Sequence, residues 1–112
     1  PEAGGRNMGV RPMETVLIGL GGCASYDVVS ILKKARQDIR DVSTQLDAER
    51  AETEPKVFTK VHVHFVVSGK NLKETQVKRA VELSAEKYCS ASIMFGRAGV
   101  EMSHGYEIVE VE

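Results

Sequence analysis

The chain lacks an excess of either charge, because 15 Lys and Arg residues face 16 Asp and Glu residues in a total of 112. This balance excludes a general attraction to nucleic acid or to an anionic membrane surface. The first residues contain no basic segment followed by an apolar one, so no signal peptide is predicted. No apolar run approaches the roughly 20 residues of a membrane span, and no membrane partner is predicted. We expect a cytoplasmic protein.

Cysteine is scarce. Cys23 and Cys89 are the two in the chain, 66 residues apart. That separation differs from the close pairs typical of zinc sites, and a structural disulfide is not expected in the cytosol. The alternatives that remain are two buried, inert thiols and a pair that is oxidised reversibly. No metal and no cofactor are predicted.

Hydrophobic periodicity predicts a single α+β domain over residues 1–112, with helices packed on an antiparallel sheet. The predicted elements are a flexible loop at 1–11, a central helix at 12–38, a β-hairpin at 42–68, a second helix at 72–90 and a C-terminal strand at 100–111. The first of the two helices is apolar over most of its circumference near its start, which is typical of a buried helix.

The apolar surface of this central helix needs neighbouring elements that bury it. One further helix and three strands cover a helix of this kind poorly. We therefore expect the missing cover from N-terminal strands absent from this chain, from a second copy of the chain, or from both.

Three glycines, Gly19, Gly21 and Gly22, precede Cys23 on the predicted helix. Each costs a helix interior about 1 kcal/mol relative to alanine. Without side chains they allow another backbone or a ligand to approach beside the thiol. Tight helix packing without any chemistry is the alternative explanation. Next to them, Tyr26 and Asp27 could orient a substrate, but Tyr26 is rather expected to pack and Asp27 to mark where the helix meets solvent.

His62 and His64 alternate with apolar residues on the second predicted strand, so both lie on one face. Together with His104 and a cysteine they could in principle hold zinc. The strand contains no Asp or Glu, however, and histidines opposite a core face are usually exposed. A metal site is therefore not predicted here.

Two segments resemble the OsmC/Ohr family, which comprises the osmotically inducible protein C and the organic hydroperoxide resistance proteins. They are PMETVLIGLGGC at 12–23 and SAEKYCSAS at 84–92, each with one cysteine. The longer stretches GGCASYDVVSILKKARQD and VELSAEKYC are similar to a YhfA-like subgroup of that family.

The resemblance implies an intertwined OsmC-like homodimer with active sites at the subunit interface. It implies a thiol peroxidase that reduces organic hydroperoxides in oxidative stress defence, with Cys23 as the peroxidatic and Cys89 as the resolving cysteine. A lipoyl protein or another small dithiol would reduce the resulting disulfide. An acidic residue and a loop arginine support the thiolate in the family, and their nearest counterparts are Glu14 and Arg11.

Two other functions remain open. The protein could be a redox-sensing or small-molecule-binding OsmC-like dimer without enzymatic activity. It could also be a structural dimer in which both cysteines are inert.

Overall fold

The computed structural model describes residues 12–111. Its elements are α1 (Pro12–Lys34), β1 (Asp38–Arg50), β2 (Phe58–Lys70), α2 (Glu74–Leu83), a π-helical turn (Ser84–Tyr88), α3 (Ser90–Arg97) and β3 (Glu101–Glu110). The predicted loop at 1–11 lies outside the described residues.

Helix α1 forms the centre of the core. Its buried stripe repeats every four residues, as one face of a helix requires, and consists of Leu20, Ala24, Val28 and Leu32. The helix ends at Lys34 rather than at the predicted residue 38. Arg36 has a φ of 61°, a left-handed conformation that stops a helix, and Asp38 already belongs to β1.

The sheet has the order β1-β2-β3 and is mixed rather than antiparallel. The predicted hairpin is present, because β1 and β2 pair antiparallel. The prediction is wrong for β3, which pairs with β2 in parallel. The chain returns through α2 and α3 to the starting end of β2, and such a crossover connection makes neighbouring strands parallel.

The core lies between the helices and one face of β2. That face carries alternate buried residues, as the twofold repeat of a strand requires: Val61, Val63, Phe65 and Val67. Val77, Ala80 and Val81 of α2 complete the core. The predicted second helix is divided, because Cys89 has an extended backbone between the π-helical turn and α3. Residues 12–111 thus contain three α-helices rather than two.

One side of α1 is exposed in this chain. Val16, Ile18 and Tyr26 on this helix are 42%, 59% and 74% exposed. By length and composition alone, α1 is also apolar enough to cross a membrane, a test that core helices of soluble proteins pass as well. The expectation that the chain has no such segment is therefore corrected. The buried stripe on its other side makes α1 part of this core.

Candidate functional site

The two cysteines meet where α1 passes the end of the π-helical turn. The Sγ of Cys89 donates a hydrogen bond to the Sγ of Cys23 across 3.2 Å. Both are free thiols; Cys23 is half-buried and Cys89 is buried. A disulfide has an S–S length of about 2.05 Å, so the sulfurs need to approach by only about 1.1 Å to form one.

The π-helical turn holds Cys89 in place. The Cys89 amide donates to the carbonyl of Ser84 at 2.8 Å, which closes the wide turn. The buried hydroxyl of Ser84 donates to the carbonyl of Ala24 at 3.1 Å. Ala24 directly follows Cys23, so this bond fixes the two cysteine-bearing segments against each other. Single π-helical turns inside helices often accompany functional sites.

The environment of Cys89 keeps its sulfur protonated. Burial raises the pKa of the Cys89 thiol above its ordinary value, because an ion is poorly solvated there. Hydrogen bonds from the hydroxyl and the amide of Ser92 act in the opposite direction and are the weaker influence. A protonated Cys89 is consistent with its role as donor to Cys23.

Asp27 lies one helical turn after Cys23, beside the thiol pair. A carboxylate oxygen of Asp27 and the two sulfurs all lie within 4.8 Å of one another. Burial raises the pKa of Asp27, and its Oδ2 is buried without a hydrogen-bond partner among the described residues. The proximity of Asp27 to Cys23 is visible in the sequence as an i, i+4 spacing, which places two side chains on one face of a helix.

A cleft of about 570 Å³ lies between the second half of α1 and the α2 segment, and neither cysteine lines it. Asp27 and Tyr88 form part of its wall, and Lys34 and Arg79 add two positive charges. Tyr88 is half exposed. The cleft can admit a small molecule to the neighbourhood of Asp27.

Comparison with known proteins identifies the family. The family model of OsmC-like proteins matches residues 4–104. The chain belongs to the OsmC-like family. Protein YhfA of Escherichia coli K12 is 52% identical over 98 residues, which are 88% of this chain and 72% of that protein. The resemblance predicted from the two cysteine segments is confirmed.

Solved structures agree on the fold. A hypothetical protein from Aquifex aeolicus VF5 has a TM-score of 0.86 at 33% identity, over 95% of this chain and 79% of its own. The organic hydroperoxide resistance protein OsmC from Legionella pneumophila has a TM-score of 0.68 at 19% identity, over 95% of this chain and 75% of its own. The second likeness is one of fold alone.

Among the described residues, only one of the three glycines in this OsmC-like chain makes a close approach. A β-carbon at Gly21 would lie 2.6 Å from Thr44 Oγ1 and 2.9 Å from Leu46 Cδ1, both on β1. The positions of Gly19 and Gly22 open onto space free of other described atoms within 4 Å. Among residues 12–111, Gly21 thus contacts the sheet, whereas Gly19 and Gly22 leave open space beside α1. The expectation that another backbone or a ligand approaches at those two positions stays a prediction.

The other predicted candidates lie away from the thiols or outside the described residues. Glu14 is exposed in the first turn of α1, and Arg11 precedes residues 12–111. Their supporting roles remain predictions.

The three histidines do not form a shared site. His62 Nδ1 lies 2.7 Å from Ser103 Oγ, and His64 Nε2 lies 3.0 Å from Glu107 Oε1. His104 is paired with buried Val63 in the parallel register, so the two side chains share a face of the sheet. His62 and His64 project from the other face. A site that combines all three is therefore excluded by the register.

Proposed function

We propose that this protein reduces organic hydroperoxides through a sulfenic acid on Cys23 and a disulfide between Cys23 and Cys89. The observation that carries the proposal is the 3.2 Å contact between two free thiols that are remote in sequence. Membership of the OsmC-like family supports it. The Legionella relative is described as an organic hydroperoxide resistance protein, a predicted redox protein and a regulator of sulfide bond formation.

Burial distinguishes the roles of the two cysteines. Cys23 is half-buried and can meet a peroxide, whereas Cys89 is buried behind it. In the first step the Cys23 thiolate attacks the terminal peroxide oxygen, so that an S–O bond forms and the O–O bond breaks. The alkoxide leaves, takes up a proton and becomes the alcohol. Cys23 is then a sulfenic acid.

The second step closes the disulfide. The Cys89 sulfur attacks the Cys23 sulfur, the S–S bond forms, and hydroxide leaves with the Cys89 proton as water. An external dithiol then supplies two electrons and two protons to restore both thiols by exchange. We propose a lipoyl protein or a similar small dithiol as this reductant, and the cytoplasm as the compartment.

The exposed side of α1 supports a homodimer as the working form. Ile18 and Tyr26 share this side with Gly19 and Gly22, and an apolar surface of this kind is typical of an interface. A second copy of the chain would provide the cover that α1 lacks.

Rapid mixing of reduced protein with cumene hydroperoxide tests the reaction. We expect a burst of one peroxide consumed per chain. Cys23→Ser should abolish the burst, because the attacking sulfur is gone. Cys89→Ser should keep the burst and stop at the sulfenic acid, which dimedone traps and mass spectrometry detects. Ser90→Ala, at an exposed neighbour of Cys89, is the matched control and should behave as the wild type.

A wild-type protein that consumes peroxide no faster than Cys23→Ser would contradict the proposed activity. Titration of the native protein with a bulky thiol reagent then separates the two alternatives. A Cys23 that reacts would favour sensing or ligand binding, whereas two unreactive thiols would favour a structural dimer.

A further inference from the structure

The thiol pair and Asp27 form a converging set of metal-ligand atoms. Within residues 12–111 this is the one group of three or more His, Cys, Asp or Glu side chains whose ligand atoms all lie within 4.8 Å of one another. Two of the ligands come from α1, four residues apart, and the third comes from the segment between the π-helical turn and α3. Three ligands on two elements that pack against each other define a point in space to which one ion can bind.

The distances suit a tetrahedral ion. With Zn–S bonds of about 2.3 Å, two thiolates on tetrahedral zinc lie about 3.8 Å apart. The sulfurs are 3.2 Å apart, so they would separate by about 0.6 Å. A zinc-bound carboxylate oxygen lies about 3.5 Å from each sulfur, which requires Asp27 to move inward by about 1.3 Å at most. These shifts are of the same order as the one of about 1.1 Å that closes a disulfide.

One oxygen of the Asp27 carboxylate has no hydrogen-bond partner among the described residues, and a bound cation would be one for it. Its Oδ2 is buried and accepts no hydrogen bond from the described residues, and a buried acceptor without a partner is costly. Two thiolates and one carboxylate carry three negative charges, so a divalent ion leaves a single negative charge. Lys34 and Arg79 line the same cleft as Asp27.

We infer that the reduced protein binds one Zn²⁺ ion through Cys23 Sγ, Cys89 Sγ and the Asp27 carboxylate. Thiolates are soft ligands, so the site favours zinc and cobalt over magnesium or calcium. Three protein ligands leave the fourth tetrahedral position for water or another small ligand, as in zinc sites with an open position. Cys23 is half-buried, which gives the ion a route to the site.

This binding does not depend on the proposed peroxidase activity. It uses the same two sulfurs but requires no oxidant, so the two ideas fail separately. A protein that reduces peroxide and binds no zinc keeps its proposed function and overturns the metal site. A protein that binds zinc but does not reduce peroxide supports the metal site and contradicts the proposed function.

Titration of the reduced protein with Co²⁺ tests the site, because thiolate-to-cobalt charge transfer gives an absorption band that reports sulfur ligation. We expect saturation at one Co²⁺ per chain, displacement by Zn²⁺ and no displacement by Mg²⁺. Cys23→Ser and Cys89→Ser should each weaken the band strongly. Asp27→Asn should keep thiolate ligation but lower zinc affinity by at least about tenfold, since even groups that only support a metal ligand contribute about 10–100-fold.

Glu86→Gln is the matched control, because Glu86 is an exposed carboxylate on the π-helical turn near Cys89. It should bind zinc as the wild type does, and circular dichroism should show that all variants are folded. An Asp27→Asn variant with wild-type affinity would overturn the proposed ligand set. So would zinc binding that survives loss of either cysteine, which would indicate adventitious metal elsewhere on the surface.

Discussion

Gly21 shows how a single residue sets the distance between the cysteine helix and the sheet. It is buried where α1 crosses β1, and its missing side chain leaves room for Thr44 and Leu46. The next glycine along the chain, Gly22, is exposed and makes no such contact. Two adjacent glycines that look equivalent in the sequence therefore have different surroundings.

Replacement of Gly21 by alanine should destabilise the protein. The new methyl group would meet Thr44 Oγ1 at 2.6 Å and Leu46 Cδ1 at 2.9 Å, so these side chains or the helix itself must shift. We expect a loss of about 1–3 kcal/mol in the free energy of unfolding, as for other overpacked sites. Urea denaturation measures it. Gly96→Ala in α3 is the control: its nearest neighbour outside the local backbone is 4.0 Å away, so it should not be destabilised. Equal effects at both positions would contradict the crowding at Gly21.

The π-helical turn shows how one element connects chain geometry to the site. Ser84 opens the turn and bonds to Ala24, and Cys89 ends the turn with an extended backbone. The turn at the end of α2 thus places the Cys89 thiol against Cys23 on α1. An uninterrupted helix would place Cys89 at a different angle, because one residue advances an α-helix by about 100°.

Ser84→Ala should weaken this connection. Loss of the buried hydrogen bond to Ala24 is expected to cost about 0.5–1.5 kcal/mol of unfolding free energy. Because that bond holds the turn beside Cys23, oxidation of the two thiols by diamide should also become slower. Urea denaturation and mass spectrometry of timed samples measure the two effects. Ser90→Ala removes an equivalent hydroxyl at an exposed position and should change neither. An unchanged oxidation rate in Ser84→Ala would show that the bond does not position Cys89.

The sequence predicts some of these elements better than others, for physical reasons. The apolar spacing of α1 and the alternation of β1 and β2 are local patterns, so helix and hairpin are predictable. The direction of β3 is not predictable, because apolar and polar residues alternate in the same way in parallel and antiparallel strands. The interruption of the helix at Cys89 could not be predicted, because no glycine or proline lies there. The position of Asp27 beside both sulfurs depends on tertiary packing, although its spacing from Cys23 is visible in the sequence.

At the scale of the whole molecule, the described chain leaves its most apolar helix half covered. The sheet and α2 pack on one side of α1, while Val16, Ile18 and Tyr26 are exposed on the rest of its surface. Each large apolar side chain left in water forfeits about 1.5–3 kcal/mol of burial. Gly19 and Gly22 on the same surface would let a second backbone come close. These features favour a homodimer that buries this side of α1.

Ile18→Asp should therefore shift the protein from dimer to monomer. Ile18 is 59% exposed in the single chain, so the charge is tolerated in a monomer but would be buried without a partner in a dimer. Size-exclusion chromatography with light scattering at several concentrations measures the change. Met94→Asp is the control, because Met94 is as exposed but lies on α3. If Ile18→Asp remained dimeric, the dimer would use another surface. A wild type that is monomeric at every concentration would contradict the homodimer.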